Sequence, residues 1–216
     1  MRNLVVHAFM SVDGVVQAPG GPDDDRDGEF AHGGWLVPHF DDELSRRMTR
    51  WHERGDALLV GRRTYDILAA HWPYLGEDDP LAAKLNRMPK YVAGRAVDPA
   101  AWHNTTLLGD DVVANVVALK DRPGQEIQVV GSGDLVQTLM RHDLVDEYRL
   151  WIFPVLLGSG KRLFANGTRP AGLAIAGTAI SDTGVAMYTY ERVGAPTYGS
   201  FAPDREPGDH RHQNGR

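Results

Sequence analysis

The chain has 216 residues, no cysteine and a formal net charge of −6, with 42% apolar and 24% charged residues. Such a composition is globular rather than disordered and has room for one domain around one core, and the missing cysteine excludes disulfides, thiolate metal sites and a cysteine nucleophile. The acidic balance gives no reason to expect nucleic acid or an anionic membrane as partner, and no apolar run approaches the roughly 20 residues of a membrane span.

Leu4–Phe9 is short, carries His7 and is followed by no cleavage pattern, so the chain reads as soluble and compatible with a cytoplasmic location. Asn3–Met10 is apolar enough for a central strand, and Asp13-Gly14 beyond it is a turn pair. Ala18–Gly34, rich in Gly, Pro and Asp, is a long polar loop of the kind that is functional or disordered. Gly33-Gly34-Trp35 closes it with a large aromatic on a flexible hinge, the pattern of a lid or of a Trp covering a core edge. Asp41–Arg54 has helical spacing with Leu44, Met48 and Trp51 as its buried stripe. Ala57–Val60 is the next strand, and Gly61-Arg62-Arg63-Thr64 turns into a helix from about Tyr65 to Ala70.

Lys90–Val92 and Thr106–Leu108 follow as strands, Asp111–Ala118 as a helix, Gln125–Val130 as a strand and Leu135–His142 as a helix. Glu147–Phe153 and, past Pro154, Val155–Leu157 read as strands, and Leu173–Ser181 with Ala186–Val193 as an antiparallel pair. Strands alternate with helices early and run together late, which predicts an α/β sheet that is parallel at first and antiparallel at its end. From Gly194 on, Gly, Pro, His and charged residues dominate, so residues 1–193 are expected to fold and 194–216 to form a disordered tail.

Two glycine turns nominate an anion site. In Ile127–Leu139 a short apolar strand runs through Gly131-Ser132-Gly133 into a helix beginning at Asp134-Leu135. A strand, a glycine turn and a helix N-terminus gather unpaired N–H groups and a partial positive charge at one point, a seat for phosphate. The same stretch also reads as an ordinary βα turn, and Val136 stands where the third glycine of the dinucleotide fingerprint would be. Arg62 and Arg63 at the start of a helix oppose its dipole, a conflict an anion resolves, although two solvated arginines are the blander reading. Parallel strands place both turns on one sheet edge, which suits a dinucleotide with a pyrophosphate and a further phosphate. A third turn, Gly158-Ser159-Gly160, precedes Lys161 and Arg162 and suits either a substrate phosphate or a plain basic loop.

Taken in order, Ser11-Val12-Asp13-Gly14, Leu59–Tyr65, Pro89–Val92, Val130–Gly133 and above all Leu144–Phe164 resemble the dihydrofolate reductase-like superfamily, in particular the riboflavin-biosynthesis reductase of the RibD C-terminal type. The resemblance covers about Leu4 to Val193. It implies a three-layer α/β fold with a mostly parallel central sheet, flanking helices and an antiparallel C-terminal hairpin, NADPH as hydride donor, and a homodimer. It places Arg62 at the adenosine 2′-phosphate, Gly61, Arg63 and Thr64 around it and the pyrophosphate, and Gly131, Ser132, Gly133, Asp134 and Leu135 at the second pyrophosphate turn. Lys90–Val92 leads to the adenosine side, where Gly94 replaces a usual serine and Arg95 stands beside it. Trp35, Phe40, Pro154, Gly158 and Lys161 fall on the substrate side.

The helix carboxylate of dihydrofolate reductases proper has no counterpart: the family spacing lands near Ser45, with Asp41, Asp42 and Glu43 one turn earlier. That argues against folate. Asp13 and Asp41 are the catalytic candidates: Asp41 is an acid or a helix cap, Asp13 a proton donor, a substrate contact or the residue that shapes its turn, with Asp42 or bound water as other sources of the proton. No metal cluster emerges from the nine histidines, and there is no Gly-x-Ser-x-Gly elbow or zinc deaminase pattern. The expectation is an NADPH-dependent reductase of a small heterocycle, 5-amino-6-(5-phosphoribosylamino)uracil reductase-like, with a non-catalytic nucleotide- or ligand-binding module on the same fold as the alternative.

Overall fold

The computed structural model describes residues 1–76, 78–94 and 97–201. Among them eight strands form one sheet: β1 (Leu4–Ser11), β2 (Gly55–Gly61), β3 (Lys90–Ala93), β4 (Thr105–Leu107), β5 (Glu126–Val130), β6 (Glu147–Phe153), β7 (Gly172–Ile180) and β8 (Ala186–Gly194). Their order is β4-β3-β2-β5-β1-β6-β8-β7. The first six are mutually parallel, while β8 runs antiparallel to β6 and β7 antiparallel to β8. Five α-helices lie on the faces: α1 (Asp42–Glu53), α2 (Arg62–Ala69), α3 (Pro80–Arg87), α4 (Val112–Asp121) and α5 (Gly133–Arg141).

Alternation along the strands builds three layers. Leu4, Val6, Ala8 and Met10 of β1, with Ala57, Leu59, Ile127 and Val129, pack against Val116 and Leu119 of α4 and Leu135, Val136 and Leu139 of α5. On the opposite face Leu58, Val60 and Val92 meet Tyr65 of α2 and Leu81 and Leu85 of α3. Further along that face Trp151 and Phe153 pack with Leu44 of α1 and with Phe30, Trp35 and Leu36. The chain winds from β2 through β3 to β4 toward one edge, and from β5 past β1 to β6 toward the other. The winding reverses between β2 and β5, where open α/β sheets bind ligands at the strand carboxyl ends.

Three local readings change. The helix after β2 begins at Arg62, not Tyr65. Helix α3 was not anticipated, although Asp79 caps it on Leu81 N and Ala82 N (2.8 and 3.0 Å) and Pro80 stands at its first position. Val155–Leu157 is not a strand, because its backbone groups are claimed by the loop after β1: Val12 N donates to Val155 O (3.0 Å) and Leu157 N to the Asp13 carboxylate (3.1 Å). Residues 195–201 have no regular structure, and 202–216 of the expected tail lie outside the described residues.

Beneath α1 the sheet carries a buried polar layer. The fully buried Arg149 guanidinium donates to both Glu126 oxygens (2.9 and 2.7 Å) and to Glu147 (2.5 Å), and Arg54 reaches Glu126 from α1's end (2.9 Å). Gln128 donates to Trp51 O (2.6 Å), which turns its oxygen to His52 Nδ1 at 2.8 Å, so the neutral His52 carries its proton on Nδ1. Burial holds the His52 pKa down at about 4 and the His7 pKa well below the usual 6.5.

Arg149→Met would leave Glu147 buried without its guanidinium and Glu126 with only Arg54 and a long 3.4 Å bond from Gln128 among the described residues; denaturant titration should show a loss of about 3–5 kcal/mol. For the histidines, the unfolded chain binds protons below pH 6.5 while the folded chain does not, so stability is full above 6.5 and falls toward about pH 4. Melting temperatures across that window should drop in the native chain and drop less in His52→Asn, which keeps the donor to Gln128. An equal slope in both would overturn the assignment.

Candidate functional site

The carboxyl ends of the neighbouring strands β2 and β5 run directly into α2 and α5. Three helices, α1, α3 and α4, are capped by Asp41, Asp79 and Asp111. Helices α2 and α5 have no side-chain cap, so their first-turn amides and positive dipole ends face the same crevice. Ser132 locks the two starts together. Its N–H donates to Thr64 Oγ1 (3.0 Å), its Oγ accepts from Gly61 N (2.9 Å), and its hydroxyl donates to Val130 O (3.0 Å). Ser132 itself is left-handed (φ 58, ψ 48).

Two glycines are required here. Gly131 has φ +55, and a Cβ on it would lie 3.1 Å from the Thr64 side chain; Gly94 has φ +147 and would crowd Arg62 Cβ at 3.2 Å. A serine at 94 is therefore disfavoured by the close approach of Arg62. Gly61, Arg62, Thr64, Gly94, Gly131, Ser132 and Gly133 are thus brought together, as expected. The Arg62 side chain is half exposed and, among the described residues, has only a loose 3.9 Å ion-pair contact with Asp66. Asp134 is exposed on the first turn of α5, whereas the Leu135 side chain is core and only its amide belongs to the helix start. Arg95 lies outside the described residues.

Arg63 is a correction. Its guanidinium is not left for a cofactor phosphate but pairs with Asp25 (2.7 Å) and Asp27 (2.5 Å) in the loop after β1. Lys161, expected on the substrate, joins the same two carboxylates at 2.7 Å each. Gln17, itself buried, organises both sides: it donates to Asp25 O and Asp27 O (3.1 and 2.9 Å) and accepts from Lys161 N (3.0 Å). Arg63 first and Lys161 second hold the Asp27 pKa at about 2.

Trp35 is not a lid. It is buried, sits edge-on to Phe153 at 5.5 Å, and donates its indole N–H to Gln17 O (2.8 Å). Asp13 is a clasp rather than an acid. It accepts from Ser11 Oγ (2.7 Å), Leu157 N (3.1 Å) and Gly158 N (2.8 Å), and the Ser11 bond first, then those amides, hold its pKa at about 2. Gly158 is accordingly a backbone donor to that clasp. Asp41 caps α1 on Leu44 N (2.8 Å), and Ser45 is exposed. Pro154 is exposed beside Gly184 in the β7–β8 turn.

Sequence reasoning identified the stripe that α1 turns to the sheet but missed His7 and Trp151 beneath it. The helix's Met48 and Trp51, with Phe9 and Phe40, are half-buried around Trp151. Phe9, Phe40 and Trp51 stand 5.3, 6.4 and 4.5 Å from it by ring centroid. His7, level with Val130 at the carboxyl end of β5, lies 4.9 Å from Trp51 and stacks on His52 at 5.6 Å. Both His7 nitrogens and Trp151 Nε1 are buried without a partner among the described residues, the mark of a polar site that a further group completes. A polar residue breaking the apolar run of β1 was the available signal. The carboxylates of the buried polar layer, Glu126 and Glu147, begin their strands at the other end.

Among the described residues no group of three or more His, Cys, Asp or Glu is placed to hold a metal ion, and no helix is long and apolar enough to cross a membrane. A separate hollow of about 380 Å³, lined by Pro73, Asn86, Arg87, Trp102, His103 and Asn104, opens at the amino ends of β3 and β4, away from the crevice.

Residues 2–187 match the family model of the RibD C-terminal domain. Two relatives from Bacillus subtilis (strain 168) are each 26% identical: the uncharacterized protein YyaP, over 88% of this chain and 94% of its own length, and the uncharacterized protein YwjB, over 82% and 91%. The fold is shared with a Shewanella sp. PV-4 protein named for riboflavin biosynthesis (TM-score 0.68, 22% identity, 88% of this chain and 99% of that one). It is also shared with a pyrimidine reductase-like protein from Corynebacterium diphtheriae (0.58, 13%, 89% and 92%). A third is the Thermotoga maritima diaminohydroxyphosphoribosylaminopyrimidine deaminase/5-amino-6-(5-phosphoribosylamino)uracil reductase (0.57, 12%, 89% and 57%). With the family model matching nearly the whole chain and the fold shared with these structures, this protein belongs to the RibD C-terminal domain family.

Proposed function

We propose that the protein is an NADPH-dependent reductase of a small planar heterocycle. The observation that carries the reading is the pair of uncapped helix starts locked through Ser132, with Arg62 uncommitted beside them. That donor set fits a dinucleotide phosphate: amides of α2 and α5 for the pyrophosphate, Gly131 and Gly94 for close approach, and the Arg62 guanidinium for a 2′-phosphate. When bound, the nicotinamide supplies a hydride. The chain supplies position and dryness: Phe9, Phe40, Met48 and Trp51 offer an apolar wall for a flat ring, and the unpartnered His7 and Trp151 N–H groups offer polar contacts beneath it.

Neither Asp13 nor Asp41 serves as proton donor in this reading, since both carboxylates are engaged in the fold. The α1 face presents only histidines held neutral, so the proton comes from water. A cytoplasmic location belongs to the same reading. A homodimer does too, supported by edge strand β7, where Ile175 and Ile180 are 61% and 73% exposed.

Calorimetric titration with NADPH and NADH tests the cofactor. Arg62→Ala should weaken NADPH by about tenfold or more, the scale of one charge-assisted hydrogen bond, and leave NADH nearly unchanged; equal loss for both would sink the 2′-phosphate role. Sedimentation velocity should find a dimer that Ile175→Glu converts to monomer, and a monomeric native chain would refute the edge interface.

A further inference from the structure

The cations around the crevice are already divided. Arg63 at the end of β2 and Lys161 beyond β6 leave the sheet from strands three places apart, a separation of roughly 14 Å at ordinary strand spacing. Asp25 and Asp27 bridge them, each contacting both. The strap formed by the loop after β1 therefore spans the carboxyl ends of β5 and β1. The bridge is held from beneath, because the buried Gln17 binds the backbone of Asp25, Asp27 and Lys161 at once. Asp25 is only 14% exposed. The third cation, Arg162, donates to Asp13 O (2.9 Å) and lies 3.5 Å from its carboxylate. Arg46 and Arg50 are exposed on α1, away from the Leu44, Met48 and Trp51 stripe. Among the described residues three carboxylates thus match three cations, and Arg62, with its loose contact to Asp66, is left for an external anion.

We propose, on the strength of the reductase reading above, that the acceptor carries no phosphate: the Asp25 and Asp27 carboxylates hold the cations, Arg63 and Lys161, to which a substrate phosphate would turn. A phosphorylated acceptor would have to displace two preorganised carboxylates, or sit near them and be repelled. The acceptor side is then defined by the neutral aromatic wall and by the His7 and Trp151 nitrogens, which suit an uncharged ring with donor and acceptor atoms on its edge.

Inorganic phosphate is the probe, titrated calorimetrically into the full chain with and without saturating NADPH. The native chain with NADPH should bind no phosphate, and Asp25→Asn/Asp27→Asn should gain a site at least about tenfold tighter, the scale of one charge-assisted contact, that Lys161→Met removes. A phosphate site in the NADPH-saturated native chain that Lys161→Met abolishes would overturn the proposal, and that arm stands even where the double variant fails to fold. A double variant that folds but gains no phosphate affinity would overturn it as well. Failure of NADPH itself to bind would instead defeat the reductase reading, and Lys161→Met would still tell whether any phosphate heat comes from the strap.

Discussion

Ser132 is where the crevice between β2 and β5 is decided. A left-handed residue after a left-handed glycine swings the chain off β5 so that its N–H meets Thr64 and its hydroxyl meets Gly61 N. Two helices on opposite faces of the sheet then start at one point. Because neither is capped by its own side chains, the hydrogen-bonding capacity that Asp41, Asp79 and Asp111 satisfy elsewhere is left open there. Gly131 and Gly94 follow from the same constraint, since Thr64 and Arg62 occupy the space a side chain would need.

The other half of the crevice depends on how α1 sits over β5, β1 and β6. At the strand starts the layer is ionic and satisfied, with Arg149 bound to two glutamates. Toward the carboxyl ends it becomes aromatic, and there the polar atoms of His7 and Trp151 lack partners. Unsatisfied buried groups are costly, and their position at the ligand-binding end of the sheet is what makes the cost intelligible. The strap from the loop after β1 completes the crevice by matching charge across its mouth, so that a loop rich in Gly, Pro and Asp has a defined place through Gln17 and four ion pairs.

Much of this was legible in the residues. Strand β1 is a nearly continuous apolar run because both its faces are covered, β5 and β6 combine apolar residues with the polar ones of the buried layer, and the late pair β7 and β8 reads as antiparallel from its proximity in the chain. The turn chemistry around Gly61–Thr64 and Gly131–Gly133 marks the strand-to-helix turns that the sheet order sets side by side. Helix α3 was legible too, through Asp79-Pro80, and was passed over because its stretch is short and flanked by turns.

Local pattern by itself determined which segments become strands and helices, where the glycine turns fall, and which family the motifs resemble, because period, turn chemistry and capping act over a few residues. The tertiary structure alone decided what each polar side chain does. Arg62 and Arg63 are adjacent and chemically identical, yet among the described residues one keeps only a loose contact with Asp66 and the other is bound to the strap. Lys161 meets Asp25 across 136 positions, and Asp13 meets Gly158 across 145. Charge pairing and burial depend on distance in space, and the sheet order that sets those distances is a property of the closed chain.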